Sequence, residues 1–342
     1  MSVPLIDIAP MLGDGTERDV RAAADAIDEA CRDIGFFVIS GHGIDPRLRR
    51  DLDAAAREFF ALPGETKAAI AMSRAGLAWR GWFPVGGELT SGRPDQKEGI
   101  YFGQEHAADD PRVRAGRPLH GANLFPDEPA HLRRLVLDYI DALTVLGQHV
   151  LDAIAVGLDL PRDWFRTHLT ADPVVLFRIF HYPPSAPTAD DWGVGEHTDY
   201  GLLTLLGQDG NAGLQVHAAD GWVDVPPDAE TFVCNIGDML ERVTGGRYRS
   251  TPHRVRNTSG AERLSYPFFL DPSWDAVVDR LPIVERPPDD EAAAAQRWDH
   301  ASVHGFSGTY GDYLLQKVSK VFPDLAAQPT GAGSSAGTAT AS

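Results

Sequence analysis

Two histidines and one aspartate give this sequence its clearest chemistry. His197 and Asp199 stand two residues apart in a His-Thr-Asp sequence, and His253 follows further along the chain. In an extended segment, residues i and i+2 point to the same side, so His197 and Asp199 would face one space. Two imidazoles and one carboxylate, with other coordination positions left open, suit a non-haem Fe(II) ion that performs oxygen chemistry. The pattern therefore predicts a metal site.

An Arg-x-Ser sequence that starts ten residues after His253 strengthens this prediction. Arg263 and Ser265 share one face of a predicted strand. A guanidinium can hold a carboxylate by two charge-assisted hydrogen bonds, and the serine hydroxyl adds a third donor. A surface ion pair is the weaker interpretation, because apolar residues follow Arg263. Phe269 shares this face of the strand, because it is an even number of residues from Arg263, and we expect it on the wall of the binding pocket.

The overall composition limits the kinds of partner that this chain can bind. The chain has 342 residues, a formal net charge of −18 and 43% hydrophobic residues, as expected of a soluble globular protein. An acidic surface does not attract nucleic acid or anionic membranes. A small molecule is therefore the predicted partner, and local arginines would still allow that molecule to be acidic.

Cysteine usage and the N-terminal residues predict a cytoplasmic protein. Cys31 and Cys234 stand far apart in apolar surroundings, so both are predicted to be buried thiols. The first residues form no basic and apolar leader, and no stretch is predicted to be long enough to span a membrane. We therefore expect the iron chemistry to take place in a reducing compartment.

Secondary-structure patterns divide the chain into a mainly helical part, residues 1–165, and a β-rich core, residues 173–305. Many short strands separated by turn residues predict a β-sandwich or jelly roll in the core. A C-terminal helix is predicted over residues 308–323, and the Gly-, Ser-, Ala- and Thr-rich residues 326–342 are predicted to be disordered. The chain is therefore predicted to form one catalytic domain, residues 1–325, of the α+β class.

Several motifs together resemble those of the Fe(II)- and 2-oxoglutarate-dependent oxygenases, in the branch similar to isopenicillin N synthase. They are Gly35-Phe36-Phe37, the run from His197 to Thr204, Asn235-Ile236-Gly237-Asp238, His253-Arg254-Val255 and Arg263-Leu264-Ser265. The resemblance covers nearly the whole chain. It implies a double-stranded β-helix, that is a jelly roll, flanked by N-terminal helices, and it implies Fe(II), 2-oxoglutarate and O2 as cofactor and cosubstrates. Within the third motif, Asn235 and Asp238 are interpreted as turn-forming residues, with Asp238 a candidate helix cap.

The resemblance also implies roles for the motif residues. His197, Asp199 and His253 would ligate the iron. Arg263 and Ser265 would take the distal carboxylate of 2-oxoglutarate, and Tyr182 would help to hold it, while the other end of the cosubstrate chelates the metal. The implied reaction is oxidation of a small organic substrate, by default a hydroxylation, with decarboxylation of 2-oxoglutarate to succinate. Such activity is typical of secondary metabolism.

The substrate pocket is predicted from strand parity and from a long loop region. Alternation places Arg178 and Phe180 on the face of Tyr182. Phe180 stands where many plant members of the family carry asparagine, which would make the pocket edge more apolar. Arg178 could anchor an acidic substrate or form a structural ion pair. Residues 71–127 are predicted to form an irregular region, which covers the active site in relatives. Its tryptophans, Trp79 and Trp82, could contact the substrate, with Trp82 the better candidate, or could simply pack this loop onto the barrel.

Three alternatives to this function remain open from the sequence. One is an oxidase similar to isopenicillin N synthase, which would work without 2-oxoglutarate and turn the Arg-x-Ser pair toward its substrate. The second is fragmentation of 2-oxoglutarate itself, as in the ethylene-forming enzyme. The third is a jelly-roll ligand sensor without turnover, which the motif disfavours because a pure binder does not need open metal positions.

Overall fold

Two facing β-sheets and a layer of helices form the chain, as a computed structural model shows. The structure describes residues 2–13, 15–90, 92–184, 192–257, 259–284, 297 and 302–321. The helices are α1 (Glu17–Asp33), α2 (Pro46–Phe60), α3 (Gly64–Lys67), α4 (Pro111–Arg114), α5 (Leu132–Gly157), α6 (Trp164–His168), α7 (Asp238–Val243) and α8 (Tyr310–Val321). Short 3-10 helices cover Ala9–Leu12, Ala68–Ile70, Met72–Arg74 and Gly76–Ala78.

The strands build one large sheet, one small sheet and a hairpin. They are β1 (Leu5–Asp7), β2 (Phe36–Ser40), β3 (Gly81–Phe83), β4 (Leu89–Thr90), β5 (Arg93–Pro94), β6 (Glu98–Gly103), β7 (Pro173–Tyr182), β8 (Val194–His197), β9 (Leu203–Gln208), β10 (Leu214–Ala218), β11 (Gly221–Asp224), β12 (Phe232–Ile236), β13 (His253–Val255) and β14 (Arg263–Ser273). The major sheet has the order β1-β2-β12-β9-β14-β7-β6-β3, the minor sheet has the order β11-β10-β13-β8, and β4 pairs with β5. Two sheets connected in this way, with helices outside, make the α+β jelly roll.

Helix α5 is the centre of the helical layer. It packs on α1 and α2 and reaches β7, β9 and β14 of the major sheet. Among the described residues it is the one helix long and apolar enough to cross a membrane, so the prediction that no stretch reaches this length is wrong. Of its most apolar window, 67% is buried inside the protein, as expected of a core helix.

Local signals explain where the first two long helices begin. Thr16 precedes α1 and accepts a hydrogen bond from the backbone N–H of Asp19, whose carboxylate accepts one from the backbone N–H of Thr16. This reciprocal capping box satisfies two backbone donors. Asp45 precedes α2 and accepts from the Arg47 N–H at 2.8 Å, with Pro46 at the first helical position. Helix α1 then packs on β1 and β2 of the major sheet, and both helices pack on α5.

Residues 71–127 are more regular than the sequence analysis expects. Strand β6 pairs with β7, and β3 pairs with β6, so both extend the edge of the major sheet. All six residues of β6 are buried, which hides the alternation by which a strand is recognised. Helix α8 lies inside the predicted range 308–323, and the predicted disordered tail, residues 326–342, is outside the described residues.

Candidate active site

Two histidines face each other on the minor sheet. His197 ends β8, His253 begins β13, and the antiparallel register pairs them directly. Residues opposite each other in such a pair project to the same face, and the two ring centroids lie 4.2 Å apart. The Oδ1 atom of Asp199 lies 3.9 Å from His197 Nε2 and 3.8 Å from His253 Nε2. The three side chains thus bring their potential ligand atoms within 4.8 Å of one another.

Hydrogen bonds determine which nitrogen of each imidazole is available to a metal. Nδ1 of His197 lies 2.8 Å from the backbone oxygen of Gly195, and Nδ1 of His253 lies 3.2 Å from that of Thr251. A carbonyl oxygen can only accept, so each Nδ1 carries the proton and each Nε2 keeps its lone pair. Metal-binding histidines in proteins are commonly oriented by such a second hydrogen bond.

The second carboxylate oxygen of Asp199 is held by the major sheet. Its Oδ2 accepts hydrogen bonds from Thr204 Oγ1 at 2.5 Å and from Asn235 Nδ2 at 2.7 Å. These two donors leave Oδ1 for a metal ion and fix the plane of the carboxylate. The prediction that Asn235 forms a turn is wrong, because Asn235 lies inside β12 with its side chain directed at Asp199. A polar residue within this buried strand was the available signal, since buried amides require partners.

Electrostatics keep the cluster in the protonation state that metal binding requires. Burial lowers the pKa of His197, and burial together with the nearby His197 lowers the pKa of His253 to about 4. Burial opposes ionisation of Asp199, but the two imidazoles and the two hydrogen bonds outweigh it and hold the pKa of this carboxyl below its ordinary value. At neutral pH the cluster therefore offers one carboxylate and two neutral imidazoles, which fits a divalent metal.

Two glycines allow the backbone after Asp199 to pack closely. A Cβ atom at Gly201 would lie 1.5 Å from Oδ1 of Asp271, and one at Gly237 would lie 2.4 Å from the backbone oxygen of Gly201. Any larger residue would displace its neighbours at either position. Asp271 is itself buried and accepts a hydrogen bond from the hydroxyl of Tyr310 in α8. The turn after Asp199 is thereby connected to the C-terminal helix.

Asp238 belongs to the same connection. The prediction that it caps a helix is wrong, because Gly237 is the N-cap of α7 and no side chain caps this end. The Asp238 carboxylate is fully buried and accepts hydrogen bonds from Arg297 Nη2 at 2.8 Å and from Tyr313 OH at 3.1 Å. It therefore anchors Arg297 and Tyr313, which lie later in the chain, beside the candidate metal ligands.

A second polar cluster lies on the major sheet. Strand register places Arg263 opposite Tyr182, and the Tyr182 hydroxyl lies 3.3 Å from Ser265 Oγ. Arg263 is completely buried, with its Nε donating to the Asn211 carbonyl at 3.2 Å and its Nη2 donating to Gln208 Oε1 at 3.3 Å. Its Nη1 is buried without a hydrogen-bond partner among the described residues. A buried guanidinium nitrogen needs an acceptor, and a ligand carboxylate would supply one.

Both clusters line one cavity of about 340 Å3. Of the residues predicted for the substrate pocket, Arg178, Phe180 and Phe269 line this cavity together with them. The Arg178 guanidinium lies 4.8 Å from the ring centre of Phe269 and 4.2 Å from that of Tyr101. The structure therefore brings every predicted site residue together except one.

Trp82 is the exception, because the structure does not place it in the cavity lining. Its indole Nε1 donates to Glu98 Oε2 at 2.8 Å, and its ring lies 5.5 Å from the ammonium of Lys67. Trp79 lines the cavity instead, from a left-handed backbone conformation with a φ of 57°. Trp82 lies in β3, whereas Trp79 lies before this strand at the end of a 3-10 helix, so the sequence alone does not show which of the two faces the cavity.

Sequence reasoning missed two further parts of the cavity wall. Lys97 is buried, and its Nζ lies 2.7 Å from Glu88 Oε2, while the hydroxyl of Tyr101 also donates to Glu88. Helix α8 contributes Leu314, Lys317 and Val318. A lysine followed by a glutamate, as in Lys97-Glu98, predicts a solvated surface, and only the tertiary structure reveals that Lys97 is buried.

Comparison with known proteins shows that the N-terminal part and the β-rich part of the chain each match a family of oxygenases or dioxygenases. A family model described as non-haem dioxygenase in morphine synthesis N-terminal matches residues 3–128, and one described as 2OG-Fe(II) oxygenase superfamily matches residues 173–272. A Dictyostelium discoideum protein named probable iron/ascorbate oxidoreductase is 45% identical, over 94% of this chain and 95% of that protein. The 2-oxoglutarate-dependent dioxygenase citB of Monascus ruber is 36% identical, over 94% of this chain and 95% of that protein.

A solved structure is similar over nearly the whole fold. A full-length Neurospora crassa protein, crystallised in complex with alpha-KG and thymine, superposes with a TM-score of 0.78 and 26% sequence identity. The similarity covers 94% of this chain and 97% of that one. The jelly roll and its flanking helices are thus shared with a protein whose structure contains this cosubstrate.

Proposed function

The chain belongs to the Fe(II)- and 2-oxoglutarate-dependent oxygenase superfamily, and on that premise we propose that it hydroxylates a small organic substrate while converting 2-oxoglutarate to succinate. It is a non-haem iron dioxygenase of the 2-oxoglutarate-dependent type, whose family uses Fe(II), 2-oxoglutarate and O2. The proposal concerns the reaction type, the ligand residues and the substrate side of the cavity.

We assign His197, Asp199 and His253 as the iron ligands. Two imidazole lone pairs and one carboxylate oxygen converge there, and all other polar atoms of these side chains that could compete are occupied by hydrogen bonds. A bound Fe(II) would supply the centre at which dioxygen is activated. The chain contributes the orientation of the three ligands and a water-poor cavity beside them.

The observation that carries the proposal is the unpartnered Nη1 of Arg263 in the same cavity. Arg263, Ser265 and Tyr182 present guanidinium and hydroxyl donors on one face of adjacent strands. This arrangement suits the distal carboxylate of 2-oxoglutarate, whose other end would face the metal cluster. Phe180 and Phe269 line the remaining cavity and would exclude water from the reacting atoms.

An anaerobic titration of the Fe(II)-loaded protein with 2-oxoglutarate tests the cosubstrate site. We expect a saturable visible charge-transfer band in the wild-type protein. In Arg263→Ala the concentration for half-saturation should rise roughly 30-fold or more, because removing one partner of a buried charge pair costs about 2–5 kcal/mol. Arg254→Ala is the matched control, since its guanidinium stacks on Trp222 of the minor sheet at 3.8 Å, away from the cavity lining.

Each outcome of this titration is informative. An unchanged half-saturation in Arg263→Ala would place 2-oxoglutarate elsewhere. Bound iron without any band would support the oxidase that works without 2-oxoglutarate, with Arg263 holding a substrate carboxylate instead. In turnover with labelled dioxygen, hydroxylation requires succinate in equal amount to a product that has gained one labelled oxygen atom. Loss of two hydrogens, or release of ethylene, would contradict hydroxylation.

We also propose a cytoplasmic location and a small-molecule partner. Cys31 and Cys234 are both buried free thiols, which suits a reducing compartment. The net charge of −18 disfavours nucleic acid as a partner. Fractionation of cells that express the chain, followed by detection in the soluble fraction, checks the location.

A further inference from the structure

Arg178 is a charged side chain of the cavity wall whose N–H donors form no hydrogen bond within the described part of the chain. Its Nε is buried and has no partner among these residues. The nearest carboxylate oxygen is Oε1 of Glu88, 3.9 Å from Arg178 Nη1, which exceeds hydrogen-bond length. Glu88 is already bound by the ammonium of Lys97 at 2.7 Å and by the hydroxyl of Tyr101. Arg178 therefore keeps free donors toward the cavity.

Two aromatic rings hold this guanidinium in place. Its central carbon lies 4.2 Å from the ring centre of Tyr101 and 4.8 Å from that of Phe269. A cation that lies over an aromatic ring is held without a hydrogen bond, so the N–H groups of Arg178 remain available. Since the side chain is 23% exposed and lines the cavity, these N–H groups are accessible to a small ligand. The arrangement is pre-organised for a planar anion.

Arg178 is too far along the sheet to serve the same carboxylate as Arg263. Tyr182, which lies opposite Arg263, is four residues from Arg178 on β7, and both point into the cavity. Four residues of an extended strand span about 13 Å. Phe180 lies between them on the same face. The cavity thus presents two guanidinium groups, those of Arg178 and Arg263, with the ring of Phe180 on the face between them.

The cavity also limits the size and polarity of its second ligand. Its volume of about 340 Å3 lies at the small end of the range for ligand pockets, and 2-oxoglutarate would fill part of it. Much of the cavity wall is apolar, with contributions from Trp79, Leu89, Leu176, Leu314 and Val318. The space left is suited to a compact molecule with an apolar body.

We propose that Arg178 binds the carboxylate of the primary substrate, and that this enzyme therefore acts on small carboxylic acids with an apolar body. The inference rests on the proposed function, because it concerns the substrate of the same site. It adds a specificity-determining residue and a substrate class. Held at one end by Arg178, the apolar body of such an acid would extend along Phe269 and the cavity wall, and the metal cluster lines the same cavity.

Calorimetric binding of matched acids and amides tests this proposal without turnover. The probes are phenylacetate, cyclohexanecarboxylate and hexanoate, each compared with its neutral amide, on the anaerobic Fe(II) protein with and without 2-oxoglutarate. In the wild-type protein we expect at least one acid to bind about 10- to 100-fold more tightly than its amide, as charge-assisted hydrogen bonds predict. In Arg178→Met this preference should fall to about one, and Arg178→Lys should keep only part of it.

Two comparisons identify the origin of the preference. Lys317→Met removes another cation of the cavity wall, whose Nζ lies 3.5 Å from Oδ2 of Asp238. This variant should leave the preference for acid over amide intact. All variants should keep the wild-type half-saturation for 2-oxoglutarate, measured by the charge-transfer band. Melting temperatures show that each variant is folded, and Arg178→Lys preserves a cation between the two rings if Arg178→Met unfolds.

Specific results would overturn the proposal. The assignment fails if no acid binds more tightly than its amide, if Arg178→Met keeps the preference, or if Lys317→Met removes it. It also fails if Arg178→Met weakens 2-oxoglutarate binding, since Arg178 would then serve the cosubstrate. Absence of the charge-transfer band in the wild-type protein would contradict the proposed function alone, because the acid preference is measured independently of that band.

Discussion

Two regions of the cavity are assembled in different ways. One is the cluster of His197, Asp199 and His253, and the other is the wall around Arg178. His197 and Asp199 are neighbours in sequence, and His253 meets them through one strand pairing. The wall around Arg178 instead combines the middle of β7, the loop residue Glu88, strand β6 and helix α8. The three candidate iron ligands thus need one short motif and one strand pairing, whereas the wall around Arg178 needs four separate segments to meet. This difference explains how one metal site can serve many substrates on one fold.

Removal of the carboxylate ligand should produce the largest effect. Asp199→Ala deletes the only acidic member of the cluster, so we expect turnover to disappear and iron affinity to fall by more than about 100-fold, since even outer hydrogen-bond partners of ligands cost 10- to 100-fold. Metal content and O2 consumption measure this. Asp224→Ala, which alters an exposed acid on the minor sheet, should behave like the wild type. Full activity of Asp199→Ala would disprove the ligand assignment.

The hydrogen bond that orients Asp199 should matter less than Asp199 itself. Asn235→Ala removes the donor at 2.7 Å and should lower iron affinity about 10- to 100-fold, with the fold retained. Asn123→Ala is the matched control, because Asn123 is an equally buried amide that bonds Gly103 and Glu105 away from the cluster. We expect this control to lower stability without changing iron affinity. Equal effects on iron affinity would show that Asn235 acts only through the fold.

The contact between the major sheet and α8 should affect the stability of the fold and leave iron binding unchanged, and this effect is visible as a pH dependence. Burial raises the pKa of Asp271 to about 7, against about 4 in an unfolded chain. Between these values the folded protein holds a proton that the unfolded chain has released, so stability decreases as pH rises, by up to about 1.4 kcal/mol per pH unit. Asp271→Asn stays neutral and can still accept from the Tyr310 hydroxyl.

Thermal unfolding between pH 5 and pH 8 measures this dependence. The melting temperature of Asp271→Asn should exceed that of the wild type by an amount that increases with pH. Parallel curves for the two proteins would show that Asp271 does not change its protonation in this range. Both the metal-free and the iron-loaded protein are measured, because the negative charge of Asp199 raises the pKa of Asp271.

The same contrast explains what could be predicted from the sequence. The six residues expected to hold iron and 2-oxoglutarate fall in two clusters, because spacing and strand parity are properties of the chain itself. Their roles remain predictions, which the experiments above test. Trp82 is the residue that the structure places away from the cavity, because it lies in β3, where its indole bonds Glu98, a pairing that the sequence does not reveal. Asn235 could have been identified as a buried polar residue in need of a partner.

Helix α8 has a consequence for the order in which the enzyme becomes complete. It follows every described strand of the jelly roll in sequence, yet it supplies cavity residues and the Tyr310 hydroxyl that binds Asp271. During synthesis His197, Asp199 and His253 leave the ribosome before this helix exists. A nascent chain can therefore bring these three side chains together while the α8 side of the cavity is still open to water.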